Sequence, residues 1–367
     1  MEIKNDLKIK ITNFFAWIQK WSVIESRKIR EKKEIILHIG MHKTGTTSIQ
    51  EALHGLDTKG IRTVRFDEKN HSRPMNTIFS EDKNIIFWKN RGFSEDEVDK
   101  KIVEYTKILE EELNDKSVNL FLLSGENMSN LSLEDQQKLC RYLIEKNFKV
   151  KVIYVIREPA AWAVSMNQQR ARGGGQKMMK LNPRYKERVE GFLNECGQEN
   201  ILVYKYEDLI KKGLLKSFSK IIGVKLNENN LLNVSMTSEA LALLYVFNNI
   251  KEPTTGNKLN FRARRLTIRA LIDFFSVSNG FSKINPEKYD IISDVEKDLT
   301  WLSETFGITY TNPFSDKLED SEIDRLPNSK AISEFFEKNS VSYDDSLSLI
   351  DNFENLYINF LSIAEND

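Results

Sequence analysis

Short apolar runs alternate with helical stretches along the first two thirds of the chain. Runs rich in β-branched and other apolar residues predict five strands, at 34–39, 61–66, 118–123, 149–156 and 201–206. Apolar spacing and capping residues predict helices at about 46–56, 94–114 and 132–147, and from the last strand to residue 222. Strands that alternate with helices in this way predict an α/β fold of three layers around a central, mainly parallel sheet.

After about residue 230 the pattern becomes helical. It predicts C-terminal helical additions near 236–250, 265–277, 286–306 and 341–364. The stretch 312–330, which contains Asp, Glu and Pro, is interpreted as a surface linker. We therefore expect three parts: an N-terminal extension at 1–33, a main domain at 34–315 and a helical segment at 316–367.

The composition excludes or disfavours several classes of protein and of site. The chain has 54 Lys and Arg against 54 Asp and Glu, so its formal net charge is zero and it is not a globally basic nucleic-acid binder. Two cysteines, Cys140 and Cys196, exclude a disulfide scaffold. With four histidines in addition, a Cys/His zinc site is disfavoured, and we expect no metal.

The N-terminal extension carries apolar residues at helical spacing between residues 11 and 24. Residues 1–33 hold nine Lys and Arg against four Asp and Glu. Two interpretations stay open: peripheral contact with an anionic membrane, or packing on the protein's own domain or on a second subunit of a homo-oligomer. No apolar run reaches the ~20 residues that span a bilayer, and no secretory signal is recognisable, so a cytoplasmic location is predicted.

The segment that follows the first predicted strand has the pattern of a phosphate-binding loop. Gly40 and Gly45 flank Lys43, and a predicted helix begins at Thr46. Glycines let a backbone approach an anion, and the N–H groups at a helix N-terminus bind it. A nucleotide P-loop has lysine directly after the second glycine, where this chain has Thr46. The strands at 118–123 and 149–156 end in Ser-Gly-Glu and Arg-Glu-Pro rather than in the Asp that helps to hold Mg²⁺, so a P-loop kinase is disfavoured but remains the first alternative.

A second candidate anion site follows the strand at 149–156. Arg157 lies at the strand end, and Ser165 follows eight residues later on a predicted helix. A guanidinium and a hydroxyl at this spacing can bind one phosphate together.

These segments resemble those of a known enzyme family. MHKTGTTSIQ (41–50) resembles the 5′-phosphosulfate loop of sulfotransferases that use 3′-phosphoadenosine-5′-phosphosulfate (PAPS), in its bacterial and glycan-type members. REPAAWAVS (157–165) resembles the 3′-phosphate motif of the same family, and YKYEDLI (204–210) resembles a segment that follows a later strand. The resemblance covers about residues 34–250 and implies a P-loop-type fold.

The resemblance also implies roles for individual residues. Lys43 would stabilise the charge that develops on the leaving phosphate, without a metal, and Arg157 and Ser165 would bind the 3′-phosphate. Tyr206 would contact the adenine. The 5′-phosphate would be held by the loop and the first helical turn, which comprise Lys43, Thr44, Gly45, Thr46, Thr47 and Ser48.

The acceptor hydroxyl needs a general base. Glu126 follows the strand at 118–123 and is our predicted base, because the family places a histidine or carboxylate at a comparable strand end. His42 and His71 are alternatives, whereas His38 lies in the pattern of a buried strand.

Two basic clusters, at 157–188 and 258–269, suit cofactor phosphates or an acidic acceptor. The resemblance favours a carbohydrate hydroxyl over a small phenol as acceptor, and no nucleic acid. The second alternative, from another functional class, is a non-catalytic nucleotide-binding protein anchored through its N-terminal helix.

Overall fold

The computed structural model describes residues 32–227, 235–251, 257–286, 291–310 and 326–366. The predicted N-terminal helix and most of the predicted linker at 312–330 therefore lie outside the described residues. The three-part division at residues 33 and 315 stays a prediction.

The described chain is built around one six-stranded sheet. Its strands are β1 (Glu34–His38), β2 (Asp57–Thr58), β3 (Ile61–Thr63), β4 (Leu120–Ser124), β5 (Lys149–Ile156) and β6 (Ile201–Lys205). Their order across the sheet is β2-β3-β4-β1-β5-β6, and every neighbouring pair except β2 and β3 is parallel. Strand β1 lies between β4 and β5 and is parallel to both, so the segments that follow these three strands emerge side by side at the carboxyl ends of the strands. Ligands of open α/β sheets bind at these carboxyl ends.

Fourteen helices are described, including those packed on the two faces of the sheet. Those before residue 200 are α1 (Thr46–Leu53), α2 (Ser72–Phe79), α3 (Ile85–Lys89), α4 (Glu95–Leu113), α5 (Leu133–Glu145), α6 (Pro159–Arg172) and α7 (Glu190–Cys196). Those after it are α8 (Tyr206–Lys211), α9 (Leu214–Ile222), α10 (Ser238–Phe247), α11 (Asn257–Phe274), α12 (Glu296–Phe306), α13 (Ser329–Lys338) and α14 (Leu349–Asn366).

Alternate residues of the central strands point to opposite faces of the sheet and build two separate cores. Ile35 and Leu37 of β1 belong to the larger core, which includes residues of α4, α5 and α6. Ile36, between them, joins the smaller core with Ile49 of α1 and Phe218 of α9. Both faces of a mainly parallel sheet are therefore covered by helices. The predicted three-layer α/β fold with C-terminal helical additions is confirmed.

The C-terminal helices continue the larger core. Phe247 of α10 lies 5.9 Å from Phe353 of α14, and Phe275 lies 5.4 Å from Phe335 of α13, measured between ring centroids. These four rings are fully buried. Aromatic packing of this kind attaches the last two helices firmly to the α10–α11 region.

Several element boundaries differ from the sequence prediction for identifiable reasons. The helix expected to reach residue 222 is divided into α8 and α9 because Gly213, with φ of 85°, ends the first and precedes the second. The strand expected at 61–66 ends at Thr63, and the helix expected at 265–277 already begins at Asn257. Four helices, α2, α3, α7 and α13, were not predicted.

Candidate functional site

The turn between β1 and α1 has the backbone form of an anion cradle. Lys43 and Gly45 both adopt left-handed conformations, with φ of 68° and 75°, and Gly45 is the N-cap of α1. The Thr44 hydroxyl is fully buried and donates to the Met41 carbonyl at 2.6 Å. That hydroxyl therefore braces the turn, and Thr44 can offer a ligand only its backbone. The turn directs the N-terminal N–H groups of α1 away from the sheet.

Glycine suits position 45 by its left-handed conformation, and a side chain there would also displace its neighbours. A Cβ added there would lie 2.2 Å from Leu214 Cδ2 and 3.3 Å from Tyr206 Cε2. Tyr206, which opens α8 directly after β6, therefore packs against the anion cradle. Two motifs that are far apart in the sequence thus meet at one glycine.

Arg157, at the end of β5, contacts the same turn. Its guanidinium donates a hydrogen bond to the Lys43 carbonyl at 2.9 Å, and it lies 5.3 Å from the Tyr206 ring centroid. Glu158, next to it, caps α6 by accepting from the backbone N–H groups of Ala160 and Ala161. Arg157 is therefore fixed between the cradle and the start of α6.

One cavity of about 260 Å³ connects these groups. It brings together five of the predicted cofactor-binding residues: Lys43, Gly45, Arg157, Ser165 and Tyr206. Thr46, Thr47 and Ser48 do not line it: Thr46 is buried and Thr47 is exposed. The sequence analysis did not single out Gln168, Ser235 or Lys283, which also line it.

Positive charge converges on the cavity. Partial burial is the main cause that holds the pKa of Lys43 below its usual range, and the nearby Arg172 and Arg157 lower it further. Glu126 acts in the opposite direction, more weakly. Burial also lowers the pKa of Arg172. Three cationic side chains held this close together favour an anionic ligand between them.

Glu126 lies beyond Lys43, in a 3₁₀ turn at Glu126–Asn130 that directly follows β4. Its carboxylate accepts a hydrogen bond from Gln50 Nε2 at 2.6 Å and longer ones from Asn70 Nδ2 at 3.3 Å. Its Oε1 is 3.7 Å from His42 Nδ1. The side chains of Glu126 and His42 remain 13% and 24% exposed, and neither is among the residues that line the cavity of Lys43 and Arg157.

The His42 ring has a defined orientation. Asn127 Oδ1 receives the Nε2 hydrogen of His42 at 2.7 Å and an amide hydrogen of Asn130 at 2.9 Å. The buried Arg188 in turn donates to Asn130 Oδ1. Since an amide oxygen only accepts, Nε2 carries the proton and the lone pair of the neutral ring is on Nδ1, toward Glu126. Burial lowers the pKa of His42, and Arg188 and Lys43 lower it further, whereas Glu126 and Asn127 raise it.

The other two buried histidines have structural roles. His38 is in the sheet as predicted, bonded through Nδ1 to Ser124 Oγ at 2.8 Å, and burial lowers its pKa to about 3. His71 accepts the backbone N–H of Ser124 at 3.1 Å, and burial lowers its pKa to about 4. His71 is therefore excluded as the alternative base, because its ring is enclosed and its Nδ1 is occupied.

Glu207, the residue after Tyr206, supports the site through two hydrogen bonds. Glu207 Oε1 accepts the backbone N–H of Glu158 at 3.1 Å, and its Oε2 accepts from the Tyr310 hydroxyl at 3.3 Å. Glu207 thus connects the end of β6 to the end of β5. The sequence analysis did not find this positioning role, because the partner residues are far away in the chain.

Two further findings apply to the described residues alone. No group of three or more His, Cys, Asp or Glu side chains in them is arranged to hold a metal ion. None of the described helices combines the length and the apolar character that crossing a bilayer requires.

Comparison with known proteins gives likenesses in structure but not in sequence. No family model matches the chain, and no curated protein matches it. A sulfotransferase from Alicyclobacillus acidocaldarius is 13% identical, with 66% of this chain and 96% of that chain covered at a TM-score of 0.33. The sulfotransferase domain of the Synechococcus PCC 7002 olefin synthase is 14% identical, with 77% and 98% covered at 0.35. Mouse sulfotransferase SULT7A1 complexed with PAP is 14% identical, with 88% of each chain covered at 0.28.

All three are sulfotransferases. They represent the family that the three sequence motifs resemble. With every identity below 15% and every TM-score below 0.5, the likeness assigns no activity to this chain. What the site does has to be argued from its own residues.

Proposed function

We propose that the protein is a PAPS-dependent sulfotransferase that transfers a sulfuryl group to an acceptor hydroxyl, on a carbohydrate. One observation carries the proposal. The Lys43 turn and the Arg157–Ser165 segment resemble the two phosphate-binding motifs of that family, and they line a single cavity although 114 residues separate Lys43 from Arg157.

The residues present fit a ligand with phosphate groups at two ends. Lys43 and the N-terminus of α1 would hold the 5′-phosphosulfate side, and Arg157 and Ser165 would hold the 3′-phosphate. Tyr206 also lines the cavity, with its ring 5.3 Å from the Arg157 guanidinium, and an adenine would lie against it. The clustered cations Lys43, Arg157 and Arg172 support a ligand with more than one anionic group.

When bound, PAPS would supply the sulfuryl group, with adenosine 3′,5′-bisphosphate (PAP) as the leaving product. Lys43 would place its positive charge where negative charge develops on the leaving phosphate. Electrostatic stabilisation of this kind is commonly the largest contribution to catalysis.

Glu126 would accept the proton of the acceptor hydroxyl. Its hydrogen bonds to Gln50 and Asn70 hold the carboxylate in place, and it faces Lys43 closely enough to influence that residue's pKa. His42 is the alternative base, because its Nδ1 lone pair points into the same region. A carboxylate and a neutral imidazole are both suitable proton acceptors near neutral pH.

Location and partners are proposed on the sequence alone. A cytoplasmic protein with peripheral membrane contact through residues 11–24, or with homo-oligomer contact through them, agrees with the basic amphipathic pattern there. A carbohydrate acceptor rests on the likeness of the Lys43 turn to glycan-type members of the family.

The proposal is tested by incubating the protein with ³⁵S-labelled PAPS and pools of carbohydrate and phenolic acceptors. We expect label on a carbohydrate, and loss of transfer in Lys43→Ala. Tighter binding of ATP with Mg²⁺ than of PAP would favour the kinase alternative. Binding of PAP without transfer to any pool would favour a non-catalytic, anchored nucleotide-binding protein.

A further inference from the structure

Helix α11 borders a second and larger cavity, which we name the α11 groove. It has a volume of about 930 Å³, and its walls come from one side of α11 and from the end of α6. The lining residues are Arg172, Phe261, Arg262, Arg265, Leu266, Ile268, Arg269, Ile272 and Asp273. On α11 they form two neighbouring rows, 261-265-268-272 and 262-266-269-273, each with a spacing of three or four residues, so the groove follows one broad face of the helix.

The α11 groove is strongly cationic. Four of its lining residues are arginines and one is an aspartate, which gives 4 − 1 = +3 formal charges in a chain whose net charge is zero. Asp273 neutralises little of the charge of Arg269, because the pair is 3.6 Å apart with side chains 82% and 70% exposed. Exposed pairs of this kind bind weakly and are screened by salt.

The apolar residues of the groove fall into two groups. Leu266, Ile268 and Ile272 pack against the main hydrophobic core, so they form its floor. Phe261 is different, because its side chain is 64% exposed and its ring lies 5.9 Å from the Arg265 guanidinium. A ligand in the groove would therefore meet guanidinium groups and one aromatic face.

The α11 groove adjoins the proposed transfer site. Arg172 lines both cavities and is close enough to Lys43 to lower the pKa of that lysine. A long ligand that lies along α11 could therefore extend past Arg172 toward Lys43. The groove is placed to hold the part of an acceptor that does not react.

We propose that the α11 groove binds an acidic oligosaccharide and so selects a carboxylate-bearing glycan as acceptor, a step that rests on the proposed sulfotransferase function. Arginine forks pair with carboxylates through two parallel hydrogen bonds. The apolar C–H face of a sugar ring can lie on Phe261, which offers a large flat surface. A neutral acceptor could not form these charge-assisted pairs.

The test measures binding apart from transfer. The full chain is titrated with a galacturonic acid hexamer and with the same hexamer methyl-esterified at its carboxylates. We expect the acid form to bind at least tenfold more tightly, with an affinity that falls as salt rises. The double variant Arg265→Gln/Arg269→Gln should bind the acid form at least tenfold more weakly than the wild type does. Arg141→Gln, an exposed arginine of α5 that also has an acidic neighbour, Glu195, should bind like the wild type.

Two controls separate this proposal from the proposed function. Circular dichroism and PAP titration of the double variant show whether its fold and its cofactor site are intact. If the wild type binds the acidic hexamer but not PAP, the assignment of the transfer site fails and the α11 groove keeps its ligand class. Equal affinity for the acid and ester hexamers would overturn the inference. So would binding of anionic phospholipid vesicles, lost in the double variant, without binding of the acidic hexamer.

Discussion

The Arg157 guanidinium donates a hydrogen bond to the backbone carbonyl of Lys43, with an N–O distance of 2.9 Å. This contact joins the residue that follows β5 to the turn that follows β1, and these two strands are adjacent in the sheet. Both cationic side chains line one cavity, and Arg157 braces the anion cradle; in the proposed function it would also bind the ligand.

Removing the charge of Lys43 should suppress transfer more than binding. In Lys43→Met we expect kcat to fall by about 10²–10³-fold, the loss typical when one stabilising group for a developing anion is removed. PAP affinity should fall less, because Arg157 and the N-terminus of α1 remain. Rates with labelled PAPS and calorimetric titration of PAP measure the two effects. Lys43→Arg, which keeps the charge, should retain more activity; equal rates in the two variants would contradict a role for the charge.

The proton acceptor can be identified by comparing two substitutions. Glu126→Gln keeps the shape of the side chain and should lower kcat by about 10²–10⁴-fold, as expected for loss of a general base. His42→Gln should lower it less, and both variants should still bind PAP. Glu134→Gln, at an exposed position on α5, is the matched control. If His42→Gln has the greater effect, the base is His42, oriented by Asn127, rather than Glu126.

Gly45 and Gly55 form a matched pair for testing the cradle. Both have positive φ, 75° and 72°, but an added Cβ meets Leu214 and Tyr206 at position 45 and nothing within 4 Å at position 55. Gly55→Ala should lower the free energy of unfolding by about 1 kcal/mol through conformation alone. Gly45→Ala should lower it by roughly a further 1–3 kcal/mol through overpacking, and should also weaken PAP binding. Equal unfolding energies in urea would show that the packing around Gly45 is loose.

Acid should destabilise the fold through His38 and His71. Their pKa values in the folded protein, about 3 and about 4, lie below the usual 6.5, so the unfolded chain binds more protons in between. The free energy of unfolding should therefore be highest above pH 6.5 and fall as pH drops, by roughly 1.4 kcal/mol per pH unit for each histidine.

Urea unfolding at pH 7, 6 and 5 measures this dependence. The slope should be smaller in His38→Gln than in the wild type. An unchanged slope in His38→Gln would mean that the buried ring is not the proton-linked group.

The sequence predicted the parts of the site that local pattern determines. The strand at 149–156 was placed correctly because a continuous apolar run suits a strand buried on both faces, and Lys43, Gly45 and Arg157 were found because each follows such a strand. The start of α8 at Tyr206, directly after β6, was not distinguished from the strand itself, since its apolar run gives no boundary signal.

The rest of the site depends on tertiary contacts. Gln50 and Asn70 hold Glu126 from two separate segments, and neither position has a local feature that indicates this role. Lys283 reaches the cavity from the helical region beyond residue 230, where no recognisable motif occurs. Arg188, predicted within a ligand-binding basic cluster, is instead buried and bonded to Asn130. Helical and charge patterns in a sequence do not reveal such pairings.

The central claim is that Arg157 holds the 3′-phosphate of a ligand whose 5′ side lies at the Lys43 turn. Calorimetric titration of wild type and Arg157→Gln with PAP and with 5′-AMP, which lacks that phosphate, tests it most directly. The claim predicts that the substitution lowers the affinity for PAP by at least tenfold and the affinity for 5′-AMP by much less, because only the 3′-phosphate of PAP loses its charged partner. An equal loss for both nucleotides, or a wild type that binds them equally, would contradict it.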